Sequence, residues 1–303
     1  MKTLHRRNRS LCLLSLSLAL ILLSLPAQGA VTSDDGPLNV GDVLLGPCGV
    51  PGAMGPEGIN DDFTNRSIST GIASDGPGGV TTAPISIVFR NTLQNTGAGD
   101  DFFVLSAPAT TAGFAIEMSI DDGDHYITLK TSHPSITLPV AYRAAAIILV
   151  RINAPAGLKL LTGFDTVIRA TSTATPTATN DTIDRLYTGF IRIDRTATVI
   201  KPNLSAAGMA SGPEIEFAVT YANVSSAAGV GNSLLTAHNL VISENGNSAS
   251  NNWGATTEHI VGATDTQGGV ILGDRAGSTW LTDILTTLEA GQKGVFKFKR
   301  RVK

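Results

Sequence analysis

The stretch Ile87–Pro108, IVFRNTLQNTGAGDDFFVLSAP, reads as a strand, a tight Asn-Thr-Gly turn and a second strand. It constrains the chain more than any other feature because it is stated twice. Ile215–Asn245 repeats the order: IEFAVTYANVSS, a polar small-residue connection, then NLVISEN. In this second copy Ile215, Phe217, Val219 and Tyr221 alternate with Glu216, Ala218 and Thr220, the period of a strand with one wet face. A chain of 303 residues has room for two such units, each burying its own core. Helix-forming Glu and Lys are scarce and β-branched residues are plentiful, so the expected fold class is all-β, two tandem antiparallel β-sandwich modules.

Residues 1–30 are set aside as a secretory signal peptide. Lys2, Arg6, Arg7 and Arg9 precede an apolar run from Leu11 to Leu25, then Pro26 and the small residues Ala27, Gly29 and Ala30. The run is short for a bilayer span, and no other segment is apolar enough to cross one. Loss of these four basic residues takes the formal net charge from −3 to −7. An acidic body argues against nucleic acid as a partner. Lys293, Lys297, Lys299, Arg300, Arg301 and Lys303 crowd the C-terminal end and read as keeping the outer face of an edge strand soluble. Cys12 lies within the leader, so Cys48 is expected as a lone thiol, open to pairing between chains, and no internal disulfide framework is expected.

In chain order, residues 31–60 form a Gly/Pro-rich N-terminal arm with one short strand at Val43-Leu44-Leu45. The first module is expected over 61–196, with roughly seven to nine short strands separated by turn signals. Its clearest hairpin has the turn Asp121-Asp122-Gly123-Asp124, and Thr182–Ile193 reads as one closing strand. The second module is expected over 197–303, with Asn247–Gly269 mostly loop. Phe296, Phe298, Arg300 and Val302 share one face of its last strand, and Lys297, Lys299, Arg301 and Lys303 the other.

Ala154-Pro155-Ala156-Gly157 and IRATSTATPTATNDT, following the first Asn-Thr-Gly unit, resemble Ig-like modules of bacterial cell-surface and adhesion-related proteins. GPEIEFAVTYANVSS, NLVISENG and LTTLEAGQKGVFKFKRRV resemble the "conserved repeat" domain of large exported bacterial proteins. In that family a strand ends in Asn before a small-residue loop, and a Leu-x-Ala-Gly-x turn, here Leu288–Gln292, starts the final strand. Ser225-Ser226 stands where the family commonly has Thr-Gly. The resemblance covers most of residues 85–303 and implies an Ig-like architecture and a surface location, with no catalytic residues to transfer.

The residues themselves offer little chemistry. There is no Gly-x-Ser-x-Gly elbow, His-Glu-x-x-His, phosphate-binding glycine loop or Cys-x-x-Cys pair. His125, His133, His238 and His259 stand without a second ligand at metal spacing. Asp61-Asp62, Asp100-Asp101 and Asp121-Asp122-Gly123-Asp124 are carboxylate clusters, and calcium is the one ion they suggest, with Asp121, Asp122 and Asp124 as its ligands. The same residues are what tight turns require. Trp253, in the polar stretch SNNWGAT, is the candidate contact residue for a ligand, against the alternative of packing over the sandwich end. The expectation is a non-enzymatic exported structural or adhesive cell-surface protein that self-associates or meets other surface proteins, without a small-molecule substrate. The alternative is an extracellular carbohydrate- or protein-binding module, with calcium as a possible stabiliser.

Overall fold

The computed structural model describes residues 42–69, 72–73, 79–201, 212–248 and 252–303, so the expected leader lies outside the described residues. The first part of the chain forms β1 (Val43–Pro47), β2 (Phe63–Ser67), β3 (Ile72–Ala73), β4 (Ile85–Asn95), β5 (Asp101–Thr110), β6 (Ala115–Ser119), β7 (Ile127–Thr128), β8 (Ser135–Val140), β9 (Ala145–Ala154), β10 (Gly163–Ser172) and β11 (Thr179–Tyr187). The second part forms β12 (Ile191–Lys201), β13 (Glu214–Asn223), β14 (Ala237–Asn245), a single helical turn α1 (Trp253–Thr256), β15 (Thr257–Asp265), β16 (Val270–Leu272), β17 (Trp280–Leu288) and β18 (Lys293–Val302). The fold is all-β.

Two sheets, β1-β4-β9-β6-β7 and β2-β11-β10-β5-β8, enclose one hydrophobic core. Phe89 and Ile152 enter it from one sheet, Phe103, Ile168 and Leu186 from the other. The sheets β15-β18-β13-β12-β3 and β14-β17-β16 enclose a second core, in which Phe217 stacks on Phe298 with centroids 5.0 Å apart. Each fully buried Phe or Leu removes enough apolar surface to be worth about 1.5–3 kcal/mol, the term that holds each sandwich closed. Pairing is antiparallel except where β2 meets β11 and β3 meets β12.

The repeat read in the sequence is a repeat of backbone geometry. Asn95 ends β4 and Asn223 ends β13, and both are buried. The Asn95 Nδ2 donates to the carbonyl of Val140, its Oδ1 accepts from Gly97 N, and its own N–H donates to Ala144. The Asn223 Nδ2 donates to the carbonyl of Leu288, its Oδ1 accepts from Ser225 N, and its N–H donates to Gln292. In each module the side chain closes the loop leaving one strand onto the turn that enters the partner strand. The third residue of that turn has φ +59° at Arg143 and +76° at Gly291, a conformation glycine adopts without strain.

Several expectations change. Thr182–Ile193 is two strands, broken at Thr188-Gly189-Phe190, where Gly189 takes φ +132° and Phe190 drops into the second core. β12 then runs unbroken through residues 196 and 197. Asn247–Gly269 holds α1 and the nine-residue β15, because Thr257 and His259 face inward beside Arg300. β18 is not an edge strand: it lies between β13 and β15, and its wet face makes cross-strand ion pairs from Lys297 to Glu216 (3.4 Å) and Arg301 to Glu214 (3.0 Å). The arm contributes β1, whose Val43 and Leu45 are core residues. Cys48 is disulfide-bonded rather than a lone thiol, and the chain's other cysteine, Cys12, lies outside the described residues.

Candidate interaction surface

The acidic turn between β6 and β7 is built by Asp121. Its Oδ1 accepts from the Ser119 hydroxyl (2.6 Å) and His125 N (3.0 Å), and its Oδ2 meets His125 Nδ1 at 2.6 Å. These bonds, Ser119 first, hold the Asp121 carboxyl well below the usual range, and the pairing raises His125. Asp122, at φ +58°, turns outward to Arg90 at 3.6 Å. The structure thus commits Asp121 to the turn. Among the described residues, no three His, Cys, Asp or Glu side chains gather as a metal site.

Trp253 sits on α1 with 8% of its surface exposed. Its ring lies 6.1 Å from Phe298 and 3.8 Å beneath the Arg300 guanidinium. Gly246 is its floor: a Cβ there would come within 2.3 Å of the indole. The packing alternative accounts for this residue, which caps the second core. Arg300 is itself fully buried, donating to Thr257 Oγ1, Thr257 O and Ser278 O, and burial pushes it down to about 10. Its neighbour His259 pairs with Asp274 at 2.6 Å. The other ring nitrogen, Nδ1, is buried without a hydrogen-bond partner among the described residues.

The exposed tryptophan is Trp280, at the start of β17. Pairing in register places Val241, Ile284 and Val270 in one row across β14, β17 and β16. Ser243, Thr282 and Leu272 form the next row, then Asn245 and Trp280. Val241, Val270, Leu272 and Trp280 are 49%, 60%, 44% and 44% exposed. Leu240, Ile242, Leu281 and Leu285, on the opposite face of the same strands, fill the core. The result is a sheet face that carries no charged residue in these three rows. Sequence reading missed it because β16 and the start of β17 have no alternating polar partner residues; only the pairing register brings them together.

A second surface is already occupied within the chain. The loop leaving β13 docks on β2: Asn65 N donates to Ser233 O (2.9 Å), Ser233 N to Phe63 O (3.0 Å), and Met54 N to Val230 O (3.1 Å). Ser226 N donates to the Tyr187 hydroxyl at 3.0 Å, and the Ser226 hydroxyl meets both Tyr187 and Arg185. Ser226 therefore ties the two sandwiches together.

Among the described residues no helix is long and apolar enough to cross a membrane. No family model matches the chain, and no curated protein does. Among solved structures it is similar to the N-terminal domain of PorA, at 11% identity over 48% of this chain and 98% of that one, TM-score 0.29. It is similar to the C-terminal domain of AspA, an antigen I/II-family protein of Streptococcus pyogenes, at 9% identity over 86% and 92%, TM-score 0.27. A family 123 glycoside hydrolase from Clostridium perfringens is similar at 12% identity over 41% of this chain and 23% of that one, TM-score 0.24. Likenesses of that size carry no argument about what this chain does.

Proposed function

We propose that the chain is an exported, non-enzymatic structural or adhesive protein that associates with a second copy of itself through the outer face of β14, β17 and β16. The observation that carries this reading is the uncharged face bearing Val241, Val270, Leu272 and Trp280 in adjacent rows. Contiguous apolar surface of this kind marks contact sites, because leaving it in water forgoes the free energy of burial. A neutral sheet face is complemented by another neutral sheet face, and every copy carries one, which favours an isologous pair. We place the junction between the two modules at Thr188–Phe190, where three residues and the Ser226–Tyr187 contacts leave little freedom for hinge motion. The layout of residues 1–30 supports export.

The test is light scattering of the chain lacking residues 1–30 across a concentration series, beside the double variant Val270→Asp, Leu272→Asp. A dimer that the double variant abolishes, with an unchanged melt, is the expected result. A wild-type chain that stays monomeric at every concentration overturns the self-association. The exposure of Trp280 favours one second reading, a carbohydrate-binding module. Glycan binding by a monomeric chain, lost in Trp280→Ala, would establish it instead.

A further inference from the structure

We propose that the open side of the second sandwich takes up one strand from another copy of this chain, donated by residues 31–41. Those residues are the N-terminal arm on the export reading above, and the donation rests on it. The sheet β14-β17-β16 is narrower than the sheet it covers. Register places Arg195, Val219 and Phe296 in one inward-facing row, Ala197, Phe217 and Phe298 in the next, and Val199, Ile215 and Arg300 in a third. The β18 member of every row is buried, whereas the β12 member is exposed, Val199 by 59%. The covering sheet therefore stops one strand short of β12.

Among the described residues no strand pairs with the second edge of β14. A cleft of about 420 Å³ lies there, lined by Val241–Glu244 and by Ile193, Arg195 and Val219. Four consecutive residues of a strand point alternately to its two faces, so what borders the cleft is the edge, with its backbone N–H and C=O groups. Ile193, Val219 and Ile242 make it apolar, and Arg195 meets Glu244 at 3.3 Å. An extended peptide satisfies both needs, its backbone pairing with β14 and its alternate side chains covering β12. The β14 edge of a second copy does not fit, because each β12 projects past its β14 by about one strand width, ~4.8 Å, and the two would collide.

Residues 31–41, VTSDDGPLNVG, lie outside the described residues and match the vacancy in chemistry. Leu38 and Val40 alternate with Asn39. Pro37 suits an added strand, which keeps one unpaired edge. Asp34 and Asp35 complement β12, where Arg192, Arg195 and Lys201 outnumber Asp194. Length makes the donor another copy. The arm enters the fold before Val43, which pairs with Asn95 at the far end of β4, while Ile85 at the near end shares a groove with Thr188 of the junction. The β4 strand spans ~33 Å, and the cleft at Ile193 and Arg195 lies ~15 Å or more beyond Thr188. These lengths add, because β2 pairs with β11 and β3 with β12 in the same order on either side of the junction. The arm extends at most ~40 Å, which leaves no residues to fill its own cleft. Donation of this kind is head-to-tail and builds a row of copies.

The test titrates a fluorescein-labelled peptide of residues 31–41 into the chain beginning at Asp42, read by anisotropy, and compares chains beginning at Val31 and at Asp42 by analytical ultracentrifugation across a concentration series. The expected result is about one peptide per chain, and a ladder of oligomers that grows with concentration for the Val31 chain and is absent from the Asp42 chain. Ala197→Glu with Val199→Asp changes only exposed side chains and should weaken the peptide about tenfold or more, by setting carboxylates beneath its apolar residues. Leu38→Asp with Val40→Asp in the peptide should do the same without altering the folded chain. Val270→Asp with Leu272→Asp leaves the ladder intact, so loss of pairing through the outer face and loss of strand donation are separate results. N-terminal sequencing of the exported protein checks the export reading by itself, while peptide binding decides the cleft whatever the start. A peptide that does not bind, or binds the Ala197→Glu, Val199→Asp chain equally well, overturns the proposal. So does a ladder that survives removal of the arm, or a monomeric Val31 chain that refuses the peptide because its own arm fills the cleft.

Discussion

Replacing Asn223 by Asp changes one nitrogen to oxygen and nothing else in shape, yet it should unfold the second sandwich more readily than any other isosteric change there. Asn223 is 1% exposed. Its Nδ2 donates to Leu235 O (2.8 Å) and Leu288 O (3.1 Å), and its Oδ1 accepts from Ser225 N (3.1 Å) and the Ser225 hydroxyl (2.6 Å). Asn223→Ala orphans the buried Leu288 carbonyl and Ser225 N–H; at about 1–3 kcal/mol for each buried group, the expected loss is about 2–4 kcal/mol. Asn223→Asp keeps the acceptor but turns a second oxygen, carrying charge, against two carbonyl oxygens. Its cost should equal or exceed that of alanine, at about 3 kcal/mol or more. The chain's two tryptophans, Trp253 and Trp280, both belong to the second sandwich. Urea titration followed by tryptophan fluorescence therefore reads the module that carries the mutation. If Asn223→Asp lies within about 0.5 kcal/mol of wild type, the side chain merely fills space and does not hold the loop onto the turn.

Two further outcomes follow from buried groups in the same sandwich. Trp253→Ala should lower the melt, at a cost of about 3–5 kcal/mol, because it empties the site between Gly246, Phe298 and Arg300; an unchanged melt would return Trp253 to the role of a ligand contact. Asp283 is fully buried, and burial, then the charge of Asp265, pushes it up to about 6. Its folded form holds a proton more tightly than the unfolded chain does, so its contribution is fully present below about pH 4 and is lost as pH rises through about 6. Asp283→Asn should flatten that slope and gain about 1–2 kcal/mol above pH 7, measured as urea midpoints at mildly acid and mildly alkaline pH; a slope that survives the substitution would exclude Asp283 as its source.

Local pattern made much of this molecule legible. Alternation in IEFAVTYAN and in VFKFKRRV tells which side chains are wet, since a strand has a period of two whatever it pairs with. The echo of Asn95 in Asn223 was visible because the same turn needs the same side-chain amide and the same left-handed residue. Turn chemistry also explained Asp121, whose carboxylate builds the turn by accepting from the Ser119 hydroxyl and His125 N. Trp253 is buried although its neighbours in the sequence are polar, because they belong to a loop whose underside, with Gly246 as its floor, is closed by Phe298 and Arg300 from β18.

What the sequence by itself determined is therefore the all-β class, the inside and outside of the strands that alternate, such as β13 and β18, and the repetition of one supersecondary unit. These depend on residues near one another in the chain. Tertiary structure decided which strands became neighbours, and with that everything long-range. It placed Ser226 against Tyr187, gathered Asp62, Asn91 and Asp184 in one core, and laid Val241, Val270 and Trp280 on one uncharged face. Such groupings depend on register between segments far apart in sequence, and a shift of one residue would send every side chain to the other face.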